Sequence, residues 1–377
     1  MLDRRSFVAT LSAATLLPRH LLAQPTLNSR RAFIGTTGGG AQGIFFAYFD
    51  AMTGTLTQPE FASKLAGNDS MTLSPHNPKR LYATCGIDGK AFAAGFDIVD
   101  GTAPLQLINQ QSAEGTIANF LSLDPSGRVA MEANWGSGSI NTYLVDKAGA
   151  LSPVVQHIEY GDANHGPSTW QPHSRCHSIL VAPGGKFVLV NDYGADRIYI
   201  YTLDETTAKL TPHDPPFWQA AAGSAPRHLL LHPNGKWIYC IFELSNTIDL
   251  LLWDAKAGTL TQQSTVSTLP ADAPPNCHAA DMVLSPDRRF LYSSNRTLES
   301  FVTFAVGRDG ALKQVQFVPS SGAQNRQITL DATGKWFLAA NVKSGDIAVY
   351  PRNPKTGMLG TQTSSTKLPG AGFVLWA

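Results

Sequence analysis

The sequence predicts an all-β fold, a seven-bladed β-propeller closed by pairing of its N- and C-terminal strands. Three observations predict it: a strand–turn–strand unit that recurs six times, a further set of strands ahead of the first clear repeat, and a composition suited to many tight turns. The repeats open at Leu73, Leu123, Val181, Leu231, Leu284 and Leu330, at intervals of 46 to 58 residues. That period is long enough for one four-stranded antiparallel blade and its outer connection. Each unit reads as an apolar strand, a Pro/Asp and Gly or basic turn, a second strand, an Asn/Asp-rich turn and a third strand. The unit from Val181, VAPGGKFVLVNDYGADRIYIYTL, and that from Leu231, LHPNGKWIYCIFELSNTIDLLLW, show the pattern most clearly. Several third strands run into a Gly-Xaa-Leu turn, as at Gly149-Ala150-Leu151, Gly258-Thr259-Leu260, Gly310-Ala311-Leu312 and Gly357-Met358-Leu359.

The seventh unit comes from residues 32–56, where Phe33-Ile34-Gly35-Thr36 and Gly43 to Tyr48 supply strands before Gly54-Thr55-Leu56. The last strand, Phe373-Val374-Leu375-Trp376, then has a role: paired with the N-terminal strands it closes the ring and removes the exposed edges of an open array. The composition agrees. Charged residues make up 15% of the chain, below the roughly 25% of ordinary domains, while 33 Gly and 24 Pro serve its turns.

The first two dozen residues differ from the rest. Asp3-Arg4-Arg5-Ser6-Phe7 precedes an apolar run from Val8 to Leu17, followed by Arg19 and Leu21-Leu22-Ala23. The run is too short to span a bilayer as a permanent helix, and the paired arginines fit a receptor-read export address rather than an anchor. Residues 1–23 are therefore expected to be a twin-arginine signal read by that export machinery, and residues 24–377 a single propeller, periplasmic or secreted and without a membrane anchor after processing. A net charge of +1 leaves no basic surplus for a nucleic acid or an anionic membrane. Cys85, Cys176, Cys240 and Cys277 lie far apart with no CxxC spacing, which supports neither a zinc knuckle nor a disulfide scaffold.

A propeller hosts many functions, so activity has to be argued from site residues. His177, Arg227, His278 and Arg326 each stand just before a blade's first apolar run and are expected at one end of the central channel. Glu243, Asn134, Asp192, Asn295 and Asn341 are expected in a second register, after the second strands. Neighbouring polar groups are His173, Arg175, His228 and Arg296. A ring of imidazole, guanidinium and carboxylate suits acid–base work on a polar or carbonyl-bearing small molecule, because imidazole accepts a proton and guanidinium forks two hydrogen bonds to a carboxylate or oxyanion. Asn and Asp in such turns are favoured for backbone reasons alone, so no metal and no cofactor is assigned.

Four pieces are more specific: Pro226-Arg227-His228 with Glu243 sixteen residues on from Arg227, Ser294-Asn295-Arg296, Asn191 to Arg197, and His177-Ser178. On them the chain resembles the lactonase family of seven-bladed propellers that contains the propeller-type 6-phosphogluconolactonases and carboxy-muconate cyclase. The resemblance covers nearly the whole chain from Ile34 onward and implies His177, Arg227, Glu243 and Arg296 as the catalytic set. It implies a hydrolase acting on a small sugar or carboxylic-acid lactone; a lactone-forming cyclase or isomerase and a non-catalytic binding propeller are the alternatives. His177 is then expected as general base, Arg227 and Arg296 as carboxylate or oxyanion ligands, and Glu243 as the group that orients them. His173, Arg175, His228, His278 and Arg326 are expected to bind substrate. The chain departs from the family at Arg175-Cys176-His177, where His-Xaa-His is common, at Asn119, where a His is usual, and near Cys85, where a Glu is often found.

Overall fold

The computed structural model describes residues 29–377, apart from 38–41, 66, 68, 88–89, 102–103 and 162–164. The proposed export signal at 1–23 lies outside the described residues. Among them there are strands and turns but no helix, and the strands form seven antiparallel sheets. The blades follow chain order. Six have four strands, with innermost strands Met71–Leu73, Ala118–Leu123, Cys176–Val181, Pro226–Leu231, His278–Leu284 and Asn325–Leu330. In the first blade the innermost strand comes from the other end of the chain. Ala371–Trp376 pairs with Ser29–Thr36 in the register Ile34↔Val374, which closes the ring as the sequence predicts.

The turn between the first two strands of a blade explains why the repeat is so visible. Its last corner takes a left-handed backbone, at Gly127 (φ 69°), Gly185 (φ 79°), Gly235 (φ 72°) and Gly334 (φ 65°), which glycine adopts without a Cβ penalty; in the sixth blade Arg288 (φ 60°) bears that cost. Asp124 and Asp331 tighten two of these turns by accepting the backbone N–H of Val129 and Trp336.

Apolar side chains alternate across every sheet, so the core is divided among the blade interfaces. Between the third and fourth blades Val129, Met131 and Ile140 meet Ile179, Val188 and Val190; between the seventh and first Leu338, Ile347 and Val349 meet Ile34, Phe49 and Val374. The four cysteines are buried.

The interface between the second and third blades breaks the apolar rule. Glu132 is fully buried at a position that holds Val190, Cys240, Ser293 and Ala339 in other blades. Tyr143 Oη donates to its Oε2 at 2.7 Å, and Oε1 has no partner. Burial pushes this carboxyl up to about 7, against the opposing hydrogen bonds of Tyr143 and Asn141. A raised carboxyl pKa favours the folded state below the unfolded value of 4.5, and that stability is lost as pH rises through about 7. Replacing Glu132 by Gln removes the effect. The unfolding free energy of the variant relative to wild type is expected to rise between pH 4.5 and 8 by up to about 3 kcal/mol, measured by urea denaturation at several pH values. A difference independent of pH would contradict it.

Candidate active site

One position of the innermost strand is built to aim a side chain at the axis. In five blades the ladder slips by one residue there, leaving Gly372, Asn119, His177, Arg227 and Arg326 as the extra residue of a β-bulge. Such bulges bend the strand and re-aim the side chain. Asp69 occupies the same position in the second blade: like Asn119, Arg227, Arg326 and Gly372, it stands two residues after a left-handed corner, here Gly67. In the sixth blade the slip falls between Ala279 and Met282, which puts Ala280 at this position and leaves His278 two residues earlier, opening the strand opposite Arg296. The ring around the channel is therefore Asp69, Asn119, His177, Arg227, Ala280, Arg326 and Gly372. The shared register expected for His177, Arg227 and Arg326 is present, and Asp69 and Asn119 extend it; His278, expected in the same register, falls outside it because its strand opens two residues earlier, and it lies beside Glu243 and Trp170 instead.

The second expected register divides. Asn134, Asp192 and Asn341 end six-residue second strands and, with Asn295, are spent on their own turns. Asn134 donates to Ser139, Asn341 to Asp346, and Asn295 to Thr268 O and Ser300, while Asp192 accepts three backbone N–H groups. Glu243 lies one residue beyond, because its strand ends at Phe242. This correction puts Glu243 level with Trp135, Tyr193 and Arg296, whose side chains line the mouth of the channel.

Glu243 ties the site together. Arg227 Nε donates to its Oε2 at 3.0 Å, and Arg296 Nη2 lies 2.5 Å from the same oxygen as an ion pair, out of line for a hydrogen bond. His278 Nδ1 donates to Oε1 at 3.2 Å. Burial raises the Glu243 carboxyl, but the Arg296 charge, the His278 hydrogen bond and the Arg227 charge together hold it well below the usual carboxylate range. With both oxygens taken, it is a poor proton acceptor and a strong anchor. Arg227 is 1% exposed, and burial followed by the Arg296 charge brings its guanidinium down to about 10.

A second ion pair faces this one. Arg326 Nη2 lies 3.1 Å from Asp69 Oδ2 and donates to Asn119 Oδ1 at 2.9 Å. Arginine only donates, so the Asn119 carbonyl must face Arg326 and its amide nitrogen must face His177, 2.9 Å from Nδ1 and 3.2 Å from Nε2. The amide donates to one ring nitrogen, and the other carries the proton. Burial, then Arg227, His228 and further arginine charges, hold His177 well below its ordinary pKa. It is a neutral imidazole presenting an N–H. Asp69 Oδ1, by contrast, is a buried carboxylate oxygen without a partner among the described residues.

The remaining predicted residues sit around this core. His228 lies one layer deeper, donating from Nδ1 to Asp281 at 2.9 Å and packing edge-on against His177, 5.0 Å between centroids; burial, then the Arg227 charge, lower it to about 4. Arg175 stacks over the Trp135 ring at 3.9 Å, with its buried Nε unpartnered. His173 bonds the carbonyl of its neighbour Ser174 and does not line the mouth cavity.

Asp69, Asn119, His177, Arg227, Glu243, Arg296 and Arg326 line one cavity of about 250 Å³, walled by Trp135, Trp170 and Tyr193. Three guanidiniums face two carboxylates there, an excess of positive charge in a confined site that favours a developing oxyanion.

The description "Lactonase, 7-bladed beta-propeller" matches residues 31–376. The chain is 29% identical over 341 residues to a 6-phosphogluconolactonase of Bacillus subtilis, covering 89% of this chain and 95% of that one. It is 30% identical over 286 residues to a 6-phosphogluconolactonase of Serratia proteamaculans, covering 76% and 82%. Among solved structures, the periplasmic gluconolactonase of Pseudomonas aeruginosa superposes with a TM-score of 0.86 at 26% identity, covering 92% of this chain and 99% of that one.

Proposed function

This chain belongs to the seven-bladed β-propeller lactonase family, and from that premise we propose that it hydrolyses the 1,5-lactone of a sugar acid in the mouth cavity, as an exported, periplasmic enzyme. The observation that carries the proposal is the cavity itself, where an unpartnered carboxylate oxygen, a neutral imidazole N–H and three guanidiniums converge.

In this reading Asp69 Oδ1 takes a proton from the attacking water while Oδ2 stays fixed by Arg326. The lactone carbonyl faces Arg227, Arg296 and the His177 N–H, which receive the charge that develops on its oxygen. Collapse of the tetrahedral intermediate breaks the bond from C1 to the ring oxygen, and the proton held by Asp69 passes to the departing alkoxide. Glu243 is a positioning residue that keeps Arg227 and Arg296 side by side despite their like charge. Placing the base at Asp69 rather than at His177 rests on the Asn119 hydrogen bond, which occupies the imidazole lone pair. The relative with a periplasmic name supports export, as do the paired arginines of the N-terminus.

The test is a pH-stat assay of glucono-1,5-lactone and its 6-phosphate, corrected for spontaneous opening, with the protein in EDTA. Saturable turnover of at least one lactone is expected. Absence of turnover on both, with or without added divalent metal, would remove the proposal.

A further inference from the structure

The mouth has a second lobe that the hydrolysis of a single sugar ring leaves unused. It encloses about 530 Å³ and is lined by His278, Thr297, Glu299, Gln324 and Lys343, with Trp170, Glu243 and Arg296 forming the wall it shares with the lobe of about 250 Å³ just described. Three features mark it as built for a ligand. The first is Trp170, 55% exposed yet held in place by the next residue: Gln171 is fully buried and donates Nε2 to Tyr193 O and to Asp196 Oδ1, both at 2.7 Å. A large aromatic ring is thereby fixed over the mouth with its edge against His278, 5.4 Å between centroids.

The second is backbone strain. Thr297 is β-branched and held at φ 73°, whereas φ is not positive at the equivalent Gly136, Gly194, Leu244 and Lys343. A conformation of that kind is strained and collects at ligand sites. The third is unspent hydrogen-bonding capacity. The buried Nε of Arg296 has no acceptor, and Lys343 has no carboxylate partner among the described residues. Glu299 braces the wall by accepting the Gln324 N–H at 2.8 Å and the Asn325 amide at 2.9 Å.

We propose that this lobe binds a second sugar ring, so that the preferred substrate is a glycosylated aldonolactone, a disaccharide whose reducing-end unit is the 1,5-lactone. The inference rests on the lactone-hydrolysis reading. With the carbonyl turned toward Arg227, the far side of the lactone ring, at C4, points out past Trp170 into the larger lobe. A pyranose presents an apolar C–H face to the indole and hydroxyls to Lys343, Arg296 and Glu299, the mix of one aromatic wall and a few placed polar groups that fixes small ligands. A phosphoryl group would leave most of the lobe to water.

The experiment compares kcat/KM for β-1,4-glucosyl-glucono-1,5-lactone, glucono-1,5-lactone and its 6-phosphate in wild type and in Trp170→Ala and Lys343→Met. Binding of the open-chain disaccharide acid is followed in parallel by calorimetry. The disaccharide lactone is expected to exceed glucono-1,5-lactone at least tenfold in wild type, and that ratio is expected to fall at least fivefold in each variant. Hydrolysis of glucono-1,5-lactone with no preference for the disaccharide overturns the second-ring site and leaves the hydrolase reading standing. A preference for the 6-phosphate that Lys343→Met removes assigns the lobe to a phosphoryl group and also overturns it. Tight binding of the disaccharide acid, weakened by Trp170→Ala but without turnover of any lactone, sustains the site and refutes the hydrolase. Neither binding nor turnover refutes both.

Discussion

Asp69→Asn is expected to lower kcat on a sugar 1,5-lactone by roughly 10²–10⁴-fold, the range associated with losing a general base. The substitution is nearly isosteric, and the new side-chain carbonyl still accepts from Arg326, which lies 3.1 Å from Asp69 Oδ2. The ring should therefore keep its shape. What disappears is the proton-accepting oxygen, Oδ1, the one buried carboxylate oxygen lining this cavity that has no partner among the described residues. His177→Gln keeps an N–H donor, while Asn119 donates to the original imidazole at 2.9 Å, so this variant is expected to lose less, about tenfold to 10². Initial rates of both variants, with folding verified by circular dichroism, decide the order. A His177 variant far slower than Asp69→Asn would return the base role to the imidazole.

Glu243→Ala has the second large consequence, and it acts on stability as well as rate. Arg227 is 1% exposed, and Glu243 is its carboxylate partner. Removing that partner leaves a buried guanidinium beside Arg296, whose side chain is 16% exposed, and the pair then repel each other without compensation. Breaking a buried pair in this way costs about 3–5 kcal/mol. Chemical denaturation should show that loss, together with a fall in kcat of about 10²-fold or more because the oxyanion ligands are no longer held together. Glu243→Gln keeps the hydrogen-bond geometry and loses only the charge, so it should fall between wild type and Glu243→Ala in stability. Equal stability of all three would mean that the carboxylate does not anchor the arginines.

Much of this architecture is legible in the sequence because each blade repeats the same punctuation. The left-handed corner at Gly127, Gly185, Gly235 and Gly334 fixes where each second strand begins, and the apolar Phe373–Trp376 run has no place except as the closing strand. The first register of the site is largely legible, since His177, Arg227 and Arg326 each stand second in their strands, whereas His278 is misassigned to it because its strand is one residue longer and opens early. Asp69 escapes notice because its blade opens with a strand of only three residues, Met71–Leu73, which weakens the alignment of that repeat. Glu243 is placed one residue off because three other blades put Asn134, Asp192 and Asn341 at the last strand position, where this blade has Phe242.

Other features are not written locally at all. The proton donor to His177 is Asn119, from a different blade, and its orientation is set by Arg326 from the opposite end of the chain. No spacing rule along the sequence connects those three residues. Trp170 lies in a connection outside the repeats, and its fixed position depends on Gln171 reaching the backbone of Tyr193 and the side chain of Asp196. Glu132 sits in an ordinary strand, and only the packing of two blades makes it a buried acid.

The most direct test of the central claim is a crystal structure of Asp69→Asn soaked with glucono-1,5-lactone. The predicted density shows the intact lactone in the mouth cavity, its carbonyl oxygen within hydrogen-bond distance of Arg227 or Arg296 and of the His177 N–H, with position 69 facing C1. Density for the lactone at any other place on the propeller, or with its carbonyl turned away from the arginines, would contradict it.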